Sequence, residues 1–461
     1  DKAIGDNAFF TTVEENKEMC KLIEAAGADS LHIRIGPCGQ HVAEFAGDLY
    51  FCGTGIEGTT GYGTQFDFTR HWQGMLKADQ SGLGIMVPVA AEIKKAVSIP
   101  VGAVTYMDPA RDPEFFESLI ASGELDFILM NRPLSVDYDY LHKLEEGRID
   151  EIRPCTRCMH CHWDAADDGN LTFSCRTNAA HPFRFVTGQL TGSYDPEPAA
   201  TAKNVVVVGA GPAGLEAARV AAERGHSVTL YEKKGSVGGL LEFANNVKGP
   251  HENLSVLRSY FERQMEVLGV NVMLNTEATA DIIAEASPDI VIAATGGVRD
   301  TLGLSDTAGT KVVGIDDFMM ADIAEEVVIV GSNVQAIDAA MYLLAQGKHV
   351  QVVTPNAASA IGAGHSFWVK TFTQPNMKAL GVRFWPEATV TAVNDGSVTV
   401  KTATGIEQEI ACGTVVEALD CLPNDSLSTG LSCEVVTVGD AARPFNIGEA
   451  ICSGNAAARA I

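Results

Sequence analysis

Four of the chain's eleven cysteines stand close together, at Cys155, Cys158, Cys161 and Cys175. The Cys-x2-Cys-x2-Cys step lets one loop present three thiolates to the corners of a cubane. A fourth thiolate from later in the chain closes the cage, and this is the ligand pattern of a [4Fe–4S] cluster. Structural zinc more often draws on two separate ligand pairs, and His160 and His162 keep zinc open as an alternative. Beside a cluster the two histidines read as surface or supporting groups. A disulfide framework would be spread over a small secreted domain. One tight group in a long chain points instead to a metal centre and a reducing cytoplasm.

A second chemistry is written in glycines. Val205–Val208 is an unbroken β-branched run, as a buried parallel strand requires. It feeds Gly209-Ala210-Gly211-Pro212-Ala213-Gly214. Gly209 allows the tight turn, Gly211 admits a pyrophosphate to the backbone, and Gly214, next to Ala213, lets helix and strand pack closely. The helix expected over 212–224 points its first amides at the phosphates. The next strand, 227–231, ends in Glu232, placed to accept from a ribose hydroxyl. Gly238-Gly239-Leu240 forms another close-approach turn. The bland alternative is a glycine turn of structural use only.

Thr295-Gly296 after the apolar strand 290–292, and Gly439-Asp440 at the end of the run from Val435, support FAD over NAD at this first site. Asp440 could bond the ribityl or pyrophosphate region of a flavin. A second copy of the unit starts at Val327–Val330 and Gly331, but Asn333 and Ala336 take the next two glycine positions and the strand 349–353 ends in Thr354. NAD(P)H binding there competes with a retained Rossmann-like fold that binds part of a nucleotide or nothing.

The 461 residues are 46% hydrophobic and 20% charged, enough for two or three domains with large cores. A net charge of −26 and a pI near 4.7 oppose phosphate backbones and anionic lipids, so neither nucleic acid nor a membrane surface is an expected partner. No apolar run approaches the roughly 20 residues of a membrane helix, and Asp1–Gly5 has no apolar signal core. The expected setting is cytoplasmic, with a small-molecule substrate.

The elements that must position these groups read as α/β. In residues 1–150, helix-like stretches at 13–26, 87–96 and 113–122 alternate with strand-like ones at 30–35, 99–104 and 127–130. That gives three parallel βα units, fewer than a closed barrel needs. The glycine-rich, aromatic segment 36–81 has a length usually tied to function. In it His41 is a candidate acid or substrate ligand, or else a surface histidine, and Tyr50 and Tyr62 are weaker candidates. Residues 151–185 hold the cysteines and 186–202 form a linker. Residues 203–305 and 421–461 form the FAD-binding domain, with a NAD(P)-binding-like domain, 306–420, inserted.

This order resembles the multidomain iron–sulfur branch of the old yellow enzyme family, which includes 2,4-dienoyl-CoA reductase and trimethylamine dehydrogenase. Asp112-Pro113, Asn131-Arg132-Pro133 and the run from Glu146 to Cys155 carry the likeness to that family's last barrel strand and its exit into the cluster. The resemblance implies the C-terminal part of a TIM barrel, with the half that carries the proton-donating tyrosine and most FMN contacts absent from this sequence. A half barrel exposes strand edges, so a partner chain, a homo-oligomer or residues not included here are expected to complete it. By resemblance Arg132 holds an FMN phosphate, and Arg111 is a substitute for the family's missing Gly-Arg. The x2, x2 spacing is similar to the amine dehydrogenase branch, where the dienoyl-CoA reductase branch has x2, x3.

The resemblance implies an enzyme that passes electrons from NAD(P)H through FAD and the [4Fe–4S] cluster to FMN, and on to the activated C=C bond of an enoate or enone. Two alternatives stand beside it. One is an amine-type dehydrogenase sending electrons through the cluster to a protein carrier, which Asn333 and Thr354 favour. The other is an electron-transfer subunit of a larger complex.

Overall fold

The computed structural model describes residues 12–34, 83–84, 86–104, 106–162, 164–165, 171–172, 174–186, 188, 190–248, 252–424, 426–427 and 430–461. His41, Tyr50 and Tyr62 lie outside them. The chain divides into two compact units that change over between Met159 and His160, with 250–252 and 371–379 counted in the first.

In the first unit, strands β1 (Leu31–Ile33), β2 (Val101–Ala103) and β3 (Phe127–Ile128) pair in parallel in that order. Helices α1 (Val13–Ala25), α2 (Val87–Lys94) and α3 (Pro113–Ala121) alternate with them. The strands are shorter than the apolar runs suggest. Pro100 has no N–H to give, so it joins the ladder only through its carbonyl, which accepts from Leu31 N at 2.8 Å. Helix starts follow local chemistry. Thr12 and Glu15 cap α1 reciprocally, Glu15 N donating to Thr12 Oγ1 and Thr12 N to the Glu15 carboxylate. Asp112 caps α3, accepting from Phe115 N at 2.9 Å, with Pro113 in the first turn. Met86, Ile93, Val101, Ala103, Phe116 and Leu119 fill the core between sheet and helices. Two short helices, α4 (Arg132–Val136) and α5 (Tyr140–Glu145), lead toward the cysteines.

The second unit opens with a two-stranded antiparallel pair, β4 (Asp164–Ala165) and β5 (Leu171–Thr172), and helix α6 (Pro182–Val186). The chain then builds β6 (Asn204–Val208), α7 (Pro212–Glu223), β7 (Ser227–Tyr231), α8 (Leu241–Lys248), α9 (Leu254–Val267), β8 (Asn271–Met273), α10 (Ala280–Glu285) and β9 (Ile290–Ala293). With β20 (Glu434–Thr437) they form one parallel sheet in the order β20-β9-β6-β7-β8. Val205–Val208 and Ile290–Ala293 are buried throughout, as strands covered on both faces must be.

The chain leaves this domain at β10 (Val298–Arg299) and returns at β19 (Cys421–Leu422), and the two strands pair antiparallel. Between them β11 (Lys311–Gly314), β12 (Glu326–Val330), β13 (His349–Val353), β14 (Arg383–Trp385) and β18 (Thr414–Glu417) make a second parallel sheet, ordered β11-β18-β12-β13-β14, with α11 (Val334–Ala345) following β12. An antiparallel sheet, β15 (Ala388–Asn394), β16 (Ser397–Thr402) and β17 (Glu407–Ala411), packs Val390, Val398, Val400 and Ile410 onto Val328 and Val353. The architecture is α/β, with a Rossmann-like unit used twice. Among the described residues no helix is long and apolar enough to cross a membrane.

The C-terminal helix (Ile447–Ala460) lies on α7 and is fixed by charge inside the core. Glu216, fully buried in α7, receives both Nε and Nη2 of Arg219 at 2.9 Å and Asn455 Nδ2 at 2.8 Å. Arg224 Nη1 donates to the terminal carbonyls of Ala458 and Arg459 at 2.7 and 2.8 Å, where a cation suits the helix end. Replacing Arg219 by Ala leaves the Glu216 carboxylate without its bidentate partner. It is expected to cost about 3 kcal/mol, read as a lowered denaturation midpoint; an unchanged midpoint would show that the pair contributes no net stability.

Candidate functional site

The first glycine turn is built for close approach. Gly209 has φ +99°, and a Cβ there would meet Ala294 O at 2.3 Å. A Cβ on Gly214 would lie 1.9 Å from Gly209 O. Gly211 is different: a Cβ there meets nothing within 4 Å of protein. Its role is therefore not internal packing but leaving room over the first amides of α7. Gly238 N donates to Ala210 O at 2.8 Å, which folds the second turn onto the first. A Cβ on Gly239 would come within 3.0 Å of Gly211 Cα. Ala213 is buried under the chain's end, where Gly439 and Gly454 pack against it, and Leu240 stays exposed.

Polar groups converge on the same end of the sheet. Glu232 accepts Ala210 N on Oε2 and Lys234 N on Oε1, both at 2.8 Å, and each carboxylate oxygen keeps a lone pair for a hydroxyl donor. Thr295 Oγ1 is buried with no hydrogen-bond partner among the described residues, and Gly296 beside it has φ +76°. A buried hydroxyl left unmatched is costly and fits a site completed by ligand oxygens. Gly439 N donates to Ser453 Oγ at 2.8 Å. Burial pushes the Asp440 carboxyl above the usual carboxylate range, opposed by Phe445 N and by Arg299. These residues fit a flavin dinucleotide in shape and in donor chemistry.

The second turn is filled by protein. Gly331 keeps the tight turn at φ +138°, its Cβ position 2.0 Å from Ala418 O. Asn333 is the N-cap of α11, its Oδ1 accepting Ala336 N at 2.9 Å. Its Nδ2 donates to Ala418 O, Leu419 O and Asp420 Oδ1 at 3.1–3.2 Å. The amide thus sits where a pyrophosphate would approach the helix, and it brings a carboxylate with it. At the ribose position, Thr354 Oγ1 and Asn356 Nδ2 both donate to Ser332 Oγ, at 3.0 and 3.1 Å.

Two charge clusters that sequence reading missed join the halves of this unit. Arg299 on β10 bonds both oxygens of Asp316 at 2.9 and 2.6 Å, and its Nη1 lies 3.2 Å from Cys421 Sγ on β19. Burial pushes the Cys421 thiol up, against the pull of Arg299. Lys248 at the end of α8 and His365 both reach Asp338 Oδ1 in α11, at 3.1 and 3.2 Å, and all three are buried. A buried acid in a helix interior is the sequence signal; its partners, far off in the chain, are not legible.

Cys155 and Cys158 belong to the first unit, Cys161 and Cys175 to the second, and none of the four forms a disulfide. Their donor chemistry fits a cluster. Among the described residues no three His, Cys, Asp or Glu side chains are grouped as ligands of one metal ion. Arg157 and Met159, between the first three cysteines, adopt left-handed φ of +52° and +65°, a strain that tends to gather at functional loops. Cys175 Sγ lies 3.5 Å from Thr177 Oγ1. The residue after it, Arg176, packs under Gly448 at the start of the C-terminal helix, and Ala179 enters the core around β6, β9 and α7.

On the barrel side, Arg132 is buried and lies 5.7 Å from the centre of the Tyr106 ring. Asp108 is buried, accepts Tyr140 Oη at 2.7 Å and has Arg111 Nε at 3.8 Å. Burial raises its carboxyl, opposed by Arg111. Arg111 therefore already has an acid beside it.

Comparison with known proteins gives the family. The model of the pyridine nucleotide-disulphide oxidoreductase family matches residues 203–440, more than half the chain. An NADH oxidase of Thermoanaerobacter brockii is 33% identical over 348 residues, covering 74% of this chain and 47% of its own. A cinnamate reductase of Clostridium sporogenes is 34% identical over 272 residues, covering 59% and 39%. The structure of a 2-naphthoyl-CoA reductase bound to 2-naphthoyl-CoA superposes with TM-score 0.76 and 28% identity, covering 98% of this chain and 64% of its own. The chain thus spans about half, or less, of the length of these curated relatives.

The two glycines make opposite predictions. Gly211→Ala is expected to leave stability unchanged but to lower flavin occupancy at least about tenfold, since its methyl meets no protein atom within 4 Å. Gly214→Ala is expected to destabilise the fold itself. Flavin absorbance and thermal midpoints of both variants check this; equal flavin content in Gly211→Ala and parent would remove the assignment.

Proposed function

The chain belongs to the pyridine nucleotide-disulphide oxidoreductase family, and from that footing we propose that it serves an FAD, [4Fe–4S] and FMN oxidoreductase of the old yellow enzyme type, which uses NAD(P)H to reduce an activated C=C bond. The observation that carries this reading is the first nucleotide turn. It is open at Gly211 and lined by Glu232 and the unmatched Thr295 hydroxyl. The names of two relatives support the substrate class: cinnamate is an enoate, and naphthoyl-CoA is an acyl thioester on an unsaturated ring.

In this reading each residue has a defined task. Gly209, Gly211 and Gly214, with the first amides of α7, hold a diphosphate. Glu232 accepts ribose hydroxyls, and Thr295 and Asp440 bond the remainder of the FAD. Cys155, Cys158, Cys161 and Cys175 ligate iron as thiolates, and Arg132, assisted by Arg111, neutralises the phosphate of FMN. Bound flavins and cluster together supply the exchange between two-electron and one-electron chemistry. The rest of the barrel, on a partner chain or elsewhere in a longer protein, supplies the proton donor and most of the substrate pocket.

Asn333 favours a second reading. Its amide and the Asp420 carboxylate occupy the phosphate approach of the second domain, which opposes NAD(P)H entry. In that reading an amine-type substrate is oxidised at FMN and electrons leave through the cluster to a protein acceptor.

Anaerobic rapid mixing separates the two. Flavin bleaching by NADH or NADPH, reversed by an enoate such as cinnamate, supports the reductase; bleaching by amines alone supports the dehydrogenase, and would sink the first proposal. Asn333→Gly is expected to lose only about 0.3 kcal/mol of stability with its cap, and to tighten NAD(P)H about tenfold by opening the helix end. A nicotinamide affinity unmoved by that change would mean that the cofactor does not use this turn.

A further inference from the structure

Arg157 stands between two cluster cysteines, in Cys155-Thr156-Arg157-Cys158. It is 1% exposed, and its backbone has φ +52°, a region that glycine enters without steric cost and arginine does not. Its guanidinium carbon lies 4.8 Å from the centre of the Tyr106 ring. Tyr106 is itself buried, with φ +45°, and carries Arg132 at 5.7 Å. One aromatic ring therefore holds the cation of the cysteine loop and the cation assigned to the flavin phosphate. The loop thus carries a guanidinium cation at a position where glycine would serve the turn alone.

We propose that Arg157 is a positioning residue that raises the reduction potential of the centre held by Cys155 and its fellow ligands, with Tyr106 fixing its guanidinium in place. The inference rests on the cluster reading above. Net charge and exposure are main determinants of the potential of such centres. Reduction by one electron from a reduced flavin makes and breaks no bond and adds one negative charge. A buried cation stabilises that reduced form.

The test uses the chain as purified under anaerobic conditions. Iron and acid-labile sulfide are counted first, and the cluster is then titrated against potential by electron paramagnetic resonance. Arg157→Gly relieves the backbone strain while removing the charge. It is expected to keep its iron and to lower the reduced-to-oxidised ratio at a fixed potential about tenfold, or about 59 mV for one electron. Arg157→Lys is expected to shift less, and Tyr106→Leu to shift in the same direction as Arg157→Gly. A parent-like midpoint in Arg157→Gly with full iron overturns the inference. Should Arg157→Gly lose iron, Arg157→Met and Arg157→Lys decide: equal midpoints overturn it, and a lower midpoint in Arg157→Met supports it. A parent protein without iron refutes the cluster reading itself, a separate result.

Discussion

Backbone crowding at the first glycine turn is the constraint on which the second unit depends. Gly214 approaches Gly209 O, and Gly454 of the C-terminal helix approaches Ala213 O, so closely that a single added carbon would lie near 2 Å from each oxygen. Sheet, α7 and C-terminal helix are thereby locked at van der Waals distance. Two of the unit's candidate segments are referred to that contact. Asp440 arrives on the strand that leads into the C-terminal helix, and the Cys175 segment docks at that helix's first turn. Glu216 and Arg219 fasten the same pair of helices from within.

The two Rossmann-like units show how one fold is opened or closed by side chains. Both keep the first glycine, because both chains must turn under a neighbouring carbonyl. They part at the next position. A bare Gly211 leaves the amides of α7 available, whereas Asn333 satisfies the start of α11 from inside the protein. The hydroxyl and amide groups of Thr354, Ser332 and Asn356 likewise bond one another where the first Rossmann-like domain presents Glu232. The second domain has in this way gained internal hydrogen bonds at the positions where its counterpart keeps bonds for a ligand.

Much of this was legible in the sequence. Continuous β-branched runs give the buried parallel strands, and β7 and β13 begin and end where their residues suggest. The glycine spacing and Glu232 mark the first turn. The barrel-side strands are shorter than their apolar runs, because pairing and not hydropathy sets a strand's ends. The β15–β17 sheet was missed, although alternation through Val390, Val398 and Val400 around the Asp395-Gly396 turn was a usable hairpin signal. Nothing local announces that Arg299 will meet Asp316 and Cys421, or that Lys248 and His365 will share Asp338. Such pairings exist only after the domains have closed on one another.

The paired strands β10 and β19 have a consequence for descent. The inserted domain leaves and re-enters its host through adjacent residues, Val298 beside Leu422 and Arg299 beside Cys421. A genetic exchange that cuts at those two points need not rethread the host sheet, so the insert can be replaced as a cassette while the host sheet stays intact. What limits the exchange is the buried contact of Lys248 with Asp338. A foreign cassette lacking that acid would take an ion-pair partner from a buried lysine, at a cost in stability.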